Sequence, residues 1–419
     1  MPNKKAMSPL LTTVLLVAAL STGSAAYGAG FGVFTQGASA LGQADSVVAH
    51  TDEPSAVFFN PALLNRLPGT QVEIGTTLLF PSREFRNAST GARAETEDTL
   101  YYPSTIYISH AFNDKISAGL GVFTPFGLGT EWSGTWEGRY IATKSQIEAF
   151  DINPVVSYQI TPGLSFAVGL DILLLDATLE NKINLSSFGL PDASQKFKGD
   201  GTGLGYNFGL AADLGRGLTL GASYRSEITV DVSGDVTFGL PSPALGGTFP
   251  NTSGKTSITL PRQIFTGLAY RASDRLTLEA GYRWEEWSSF RELKLDLGQP
   301  VAGQTSITAP KKWRDTHTFN LGGIYKVTDT VSLMAGYLHS NNPVPDSTFE
   351  PAIPDSDTHL FTIGSEIKFD KIKVTASYGY QLLEERTKNN LVGVAIGGAA
   401  NGAYNSDIHL LGLSVAYKF

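Results

Sequence analysis

The chain closes on LGLSVAYKF, Leu411–Phe419. Leu411, Leu413, Val415, Tyr417 and Phe419 alternate with Gly412, Ser414, Ala416 and Lys418. A period of two is the signature of a β-strand with unlike faces. Chain ends usually fray, so an apolar strand placed at the carboxyl terminus must pair with something and bury or wet its face against something apolar. The same period runs back through the chain. Ile372, Val374, Ala376, Tyr378 and Tyr380 share one face of their strand, and Phe319, Leu321, Gly323, Tyr325 and Val327 share one face of theirs. Leu276, Leu278, Ala280, Tyr282 and Trp284, and before them Leu164, Phe166, Val168, Leu170 and Ile172, repeat the pattern.

Between these runs short and long connections alternate. NDK at 113, TPG at 161, LGRG at 214, SDR at 273, VTDT at 327 and FDK at 369 are tight-turn chemistry. The long ones cover roughly 86–99, 127–144, 180–201, 233–256, 298–312, 341–357 and 387–405. The pattern predicts an all-β fold: a transmembrane antiparallel barrel of about 14 strands, an even number with both ends on the short-turn side. A secreted sandwich or β-helix also alternates. Its strands are typically ~5–6 residues, whereas these approach the ~9–11 that cross hydrocarbon with tilt. The odd-numbered face of Leu411–Phe419 therefore meets lipid, and the strand pairs with the first to close the barrel. An aromatic carboxyl terminus, Phe419, also suits recognition by barrel assembly machinery.

Composition agrees. Of 419 residues, 42% are hydrophobic and 17% charged, too polar for a helical membrane protein and poor in charge for a soluble one; the net charge of −8 offers no basic footprint for nucleic acid. With no cysteine there is neither a disulfide framework nor a thiolate metal site. Lys4 and Lys5 precede an apolar run, Leu10–Leu20, and small residues follow. Residues 1–28 thus read as a signal peptide cut after Ala26 or Gly28, which takes the net charge from −8 to −10 by removing two lysines.

Residues 29–69 do not alternate, and residues 70–419 form the barrel. The segment AGFGVFTQGASALGQADSVVAHTDEPSAVFFNPALLNRLPG is rich in Gly and Ala at first and carries apolar anchors later. A lumen of about 14 strands needs filling or conducts water, so this segment is expected to plug it. Ala29-Gly30-Phe31, the following small-residue stretch and Phe59-Asn60-Pro61-Ala62 resemble the hatch of the FadL family of outer-membrane long-chain fatty acid transporters, which includes aromatic-hydrocarbon channels. Gly267–Ser288 is similar to the family's middle hairpin.

The resemblance implies a 14-stranded barrel in the outer membrane of a Gram-negative bacterium, in contact with its lipid and lipopolysaccharide, a monomer without cofactor. It implies passive uptake of a hydrophobic small molecule, with long-chain fatty acids ahead of monoaromatic hydrocarbons such as toluene. Asn60, Pro61 and Ala62 match the hatch motif. Capture at a groove of the third and fourth loops draws attention to Phe188, Leu190, Phe197, Phe238, Leu240 and Phe249. Those residues could equally pack loop on loop. Phe31, Phe34, Phe58 and Phe59 are candidates for an inner pocket or simple anchors of the plug. Lateral exit through a kinked third strand, about Lys115–Phe126, points to Gly119, Gly121 and Pro125. A fatty-acid carboxylate needs a cation, and Arg139, Lys144 and Arg225 are the candidates.

Enzymatic readings find little support. His50, His110, His317, His339, His359 and His409 lack metal-ligand spacing, and no GxSxG elbow is present. No catalytic or metal residue is assigned. Glu279, Arg283, Glu285, Asp171, Arg271 and Glu366 fall on lumen faces, where an ion-pair network is the simpler reading. A general porin and a barrel-embedded hydrolase are the rivals, and the porin has no need of residues 29–69.

Overall fold

Fourteen strands account for the barrel wall in the computed structural model, which describes residues 30–419; the expected signal peptide and Ala29 lie outside them. In chain order they are β1 (Thr70–Asn87), β2 (Ser104–Ala111), β3 (Ile116–Phe123 and Gly127–Glu131), β4 (Lys144–Thr161), β5 (Leu164–Ile183), β6 (Ala193–Gly215) and β7 (Leu218–Arg225 and Ile228–Gly239). Then follow β8 (Thr252–Leu260 and Gln263–Arg271), β9 (Leu276–Glu285 and Glu292–Val301), β10 (Gln304–Pro310 and Thr316–Lys326), β11 (Val331–Ser340), β12 (Thr358–Phe369), β13 (Ile372–Lys388) and β14 (Gly402–Lys418). Each pairs antiparallel with the next. The terminal strand pairs with β1 from Gln71↔Lys418 to Asn87↔Gly402 and closes the barrel. Closure leaves no sheet edge to satisfy in lipid. Leu411, Leu413, Val415 and Tyr417 point outward and are exposed, while Gly412, Ser414 and Ala416 are buried inside.

The polarity of the wall inverts with height. In its lower half, apolar residues face out, as in Leu220, Leu268, Phe319 and Ile363. Higher up they face in. Val230, Val232 and Val236 of β7 and Ile258 and Leu260 of β8 are buried, while Asp231 and Lys255 are exposed outside. Two interruptions make the switch. At Ser226–Glu227 the inward set changes from Ser223 and Arg225 to Ile228 and Val230; at Pro261–Arg262 it changes from Ile258 and Leu260 to Gln263 and Phe265. A shift of one residue moves every side chain to the other face. The long connections expected at 180–201 and 233–256 are corrected accordingly: strand continues to Ile183, resumes at Ala193, and on β7 and β8 leaves only 240–251 irregular. Above the hydrocarbon an inward apolar face gives the strands a core of their own, so they need not end at the membrane surface.

Residues 30–67 fill the lumen as two short helices, α1 (Ala38–Gly42) and α2 (Ala56–Phe59), and a 3-10 turn (Pro61–Arg66), nearly all buried. Asn60 ties the segment to the wall. Its Nδ2 donates to Val48 O (2.8 Å) and to Leu210 O of β6 (2.9 Å), and its Oδ1 accepts from Ala62 N (3.2 Å). Pro61 needs no donor at the first position of the turn. Glu279 accepts from Val48 N (2.6 Å) and Ala49 N (2.9 Å), and Tyr107 Oη donates to Gln36 O (2.9 Å). The wall makes room with glycines. A Cβ on Gly209 would meet Asn60 and Ala62, and one on Gly221 the Val48 carbonyl.

Candidate functional site

A cavity of about 200 Å³ lies above the plug, inside the inverted part of the wall. Phe31, Leu128, Ile147, Phe197, Ile258 and Phe290 give it an apolar lining, and Glu350, Ala352 and Ile353 of the loop 341–357 cover it. The start of the described chain forms one side. Phe31 is fully buried, with ring centroids 4.5 Å from Trp287, 5.6 Å from Trp313 and 5.8 Å from Phe290. Gly30 packs against the two tryptophans with φ +70°, and its N–H donates to Asp355 Oδ2 (2.8 Å). Burial pushes the Asp355 carboxyl up to about 7, against the pull of the Gly30 and Ser356 N–H groups and Arg386.

The charges on the cavity wall are paired. Lys144 Nζ lies 3.0 Å from Glu131, Lys196 Nζ lies 3.0 Å from Glu180, and Lys311, almost completely buried, is bonded to Glu350. A buried pair of this kind keeps its net charge near zero inside an apolar chamber.

Beside the cavity the wall is broken. Strand β3 stops at Phe123 and resumes at Gly127; above the break its ladder is to β4 alone, apart from isolated contacts of Glu131 and Trp132 with residues 96–97. The plug takes up the freed backbone: Val33 N–H donates to Pro125 O (3.0 Å), Gly127 N–H to Phe31 O (2.9 Å), and Gln36 Nε2 to Thr124 O (2.6 Å). Pro125, which cannot donate to a ladder, lies between the two segments of β3. Gly119 and Gly121 do not. Both lie in the regularly paired part of β3, opposite Ser109 and Tyr107, which corrects their assignment to the kink. Their physical role is space. A Cβ on Gly119 would come within 2.6 Å of Val57 of the plug, and one on Gly121 within 2.9 Å.

A family model described as outer membrane protein transport protein (OMPP1/FadL/TodX) matches residues 18–419. The chain belongs to that family. Among curated relatives it is 25% identical to the 47 kDa outer membrane protein of Pasteurella multocida, over 100% of this chain and 99% of that one. It is also 25% identical to the long-chain fatty acid transport protein of Salmonella typhi, over 87% and 91%. In fold it is similar to a Pseudomonas aeruginosa FadL homologue, with a TM-score of 0.82 at 22% identity over 93% of this chain and 100% of that one. The toluene transporter TodX of P. putida gives 0.73 at 19%, over 91% and 98%. This FadL/TodX chain is therefore an outer membrane protein that transports hydrophobic molecules.

Within that frame the other expected site residues separate by height. Phe31 and Phe197 line the cavity. Phe34, Phe58 and Phe59 lie below it: Arg283 stacks on Phe34 at 4.2 Å, and Phe58 packs on Phe59, Phe123 and Phe265 at 4.9–5.8 Å. Phe238 and Phe249 meet each other at 5.8 Å, Leu240 is half-buried, and Phe188 and Leu190 belong to the loop after β5. Arg139 is bound by Asp192 (2.7 Å) and the Tyr140 hydroxyl (2.6 Å). Arg225 is buried between wall and plug, bonded to Asp171, 3.8 Å from Asp151 and 3.2–3.3 Å from the carbonyls of Val57 and Phe58. Of the three cations only Lys144 reaches the cavity. Glu279, Arg283, Glu285, Asp171 and Glu366 are buried on the lumen face; Arg271 is exposed beside a short turn. Asp52, Glu53 and Glu366 converge, but the Lys373 ammonium stands among them at 2.8–3.4 Å and makes the cluster an ion-pair lock between plug and wall. Lys311 and Trp313 lie in the interruption of β10 and Trp287 in that of β9, where the two-residue period lapses and gives no face to read.

Proposed function

We propose that the cavity receives the transported molecule and that the protein is a passive route for it, from the extracellular side to an exit at the β3 break once residues 31–36 withdraw. The observation that carries this is an apolar chamber bounded jointly by the extracellular cover, the plug and the broken strand. An apolar cavity of roughly 150 Å³ is already enough for a benzene ring, so about 200 Å³ suits a monoaromatic ligand as it stands. A neutral hydrocarbon also asks nothing of the paired charges. The second reading, a long-chain fatty acid, is favoured by the name of the Salmonella relative and by Lys311 in the wall. Its carboxylate would compete with Glu350 for the Lys311 ammonium, and its chain would extend towards the mouth. Arg139 and Arg225 are engaged elsewhere.

Titration of the purified barrel with toluene and with oleate separates the two. For a fatty-acid carrier, Lys311→Met weakens oleate by about 1.5–3 kcal/mol, the scale of a charged hydrogen bond, and leaves toluene unchanged. For a hydrocarbon carrier, wild-type protein binds toluene and oleate gains nothing from Lys311. Binding of neither ligand class contradicts the transport reading.

A further inference from the structure

The loop between β13 and β14, NNLVGVAIGGAAN at residues 389–401, carries no charged residue. It stands at the extracellular end, beyond the outward apolar band of β14, so water surrounds it. Yet Leu391 is 84% exposed and Val394 and Ile396 are each 50% exposed. Exposed aliphatic clusters of this kind mark contact surfaces.

The exposure is built in. The buried Lys388 sends its Nζ into the loop and donates to Val392 O (3.0 Å), Ala399 O (2.5 Å) and Asn401 Oδ1 (2.9 Å). Gly393 and Gly397, with φ +86° and +81°, turn the chain on either side of a 3-10 turn at Val394–Ile396. L side chains rarely adopt that conformation. The loop interior is thus taken by polar ties, and the aliphatic side chains are held outward.

Its position joins the two halves of the cavity's rim. Asn390 Nδ2 donates to Asp346 O (2.7 Å) and Phe349 O (2.9 Å), in the cover whose Glu350, Ala352 and Ile353 close the cavity. Gly393 packs against Ile141, which itself lines the cavity. The patch is therefore continuous with the seam between cover and wall.

We infer that this loop is the landing surface for the hydrophobic small molecule, which adsorbs on Leu391, Val394 and Ile396 and passes over Ile141 into the cavity. The inference rests on the transport reading above. With no charge on the loop, an ionic or strongly polar partner finds nothing to pair with, whereas an apolar molecule gains by covering it.

The test is stopped-flow quenching of tryptophan fluorescence by bromobenzene in the full barrel, since Trp287 touches the cavity-lining Phe31. In L391S/V394S/I396S, association slows about tenfold, a change within the span seen among variants of one interface. Dissociation slows equally, so the equilibrium affinity stays put, because a landing surface alters the path and not the bound state. Saturable quenching with unaltered rates overturns the landing surface and leaves the cavity reading standing. No saturable quenching in the wild type overturns the cavity reading and the landing surface together. Unaltered rates accompanied by a change from dimer to monomer overturn the inference in favour of a second copy of the chain as occupant.

Discussion

Deleting residues 32–60 turns a closed barrel into a conducting one. Fourteen strands enclose a lumen wide enough for water and ions, and the described chain fills it with a buried segment tied to the wall by Asn60, Glu279, Tyr107 and Lys373. Several wall residues facing the plug are glycines: Gly119, Gly121, Gly209 and Gly221 have no side chain to close the gap that deletion leaves. The barrel ladder itself does not depend on the plug, since β1 pairs with β14 along their length. In planar bilayers the intact protein holds its conductance near the baseline, and the deleted form shows stable open-channel steps. Equal conductance from two correctly folded proteins would contradict the plug.

Arg225→Met gives the largest expected loss of stability. The guanidinium is buried against Asp171, Asp151 and Asn153 and reaches the plug carbonyls of Val57 and Phe58; it also lies 4.7 Å from the Phe58 ring centroid. Removing it leaves two carboxylates facing each other without a cation. Breaking a buried pair by deleting one partner costs about 3–5 kcal/mol, whereas replacing the whole group by neutral residues is often close to neutral. Urea unfolding in detergent should show that loss for Arg225→Met and recover most of it in the triple variant R225M/D171N/D151N. A loss below about 1 kcal/mol for the single change would place Arg225 among surface-like pairs and contradict its role as a clamp.

How much of this was legible in the sequence depended on which solvent each face met. Leu411–Phe419 read correctly because one face meets lipid and the other small and polar lumen residues, so the two-residue period is undiluted. Closure followed from the ordered terminus, and the plug from the loss of period before residue 70. The upper wall was read as loop because its pattern inverts: Phe197 and Val236, inside the stretches read as loop, point in where Leu220 and Tyr224 point out. The two-residue interruption at Ser226–Glu227 carries no local mark of what lies above it. Gly119 and Gly121 looked like strand weakeners, as glycines in strands often are. Only the packing shows that they seat Val57. Lumen-facing charge was legible by parity, as with Glu279 and Arg283, but its partners were not. Arg225 faces Asp171 across two strand boundaries and the plug across 167 positions of chain. The cavity was the least legible part, since it is assembled from strand ends, the plug and the cover, each contributing a few residues.

On the proposed route, hydrophobic molecules pass through the cavity between cover and plug. Ala177 is buried in its wall on β5, and Ala177→Trp would fill much of a space of about 200 Å³ without touching the plug ties. The deciding measurement is the rate at which cells bearing the wild type or Ala177→Trp, at equal surface levels, take up radiolabelled toluene and oleate. A fall to the rate of cells lacking the protein, for whichever ligand the wild type carries, is the predicted result. Uptake as fast as wild type through the filled cavity would mean that the molecules take another route.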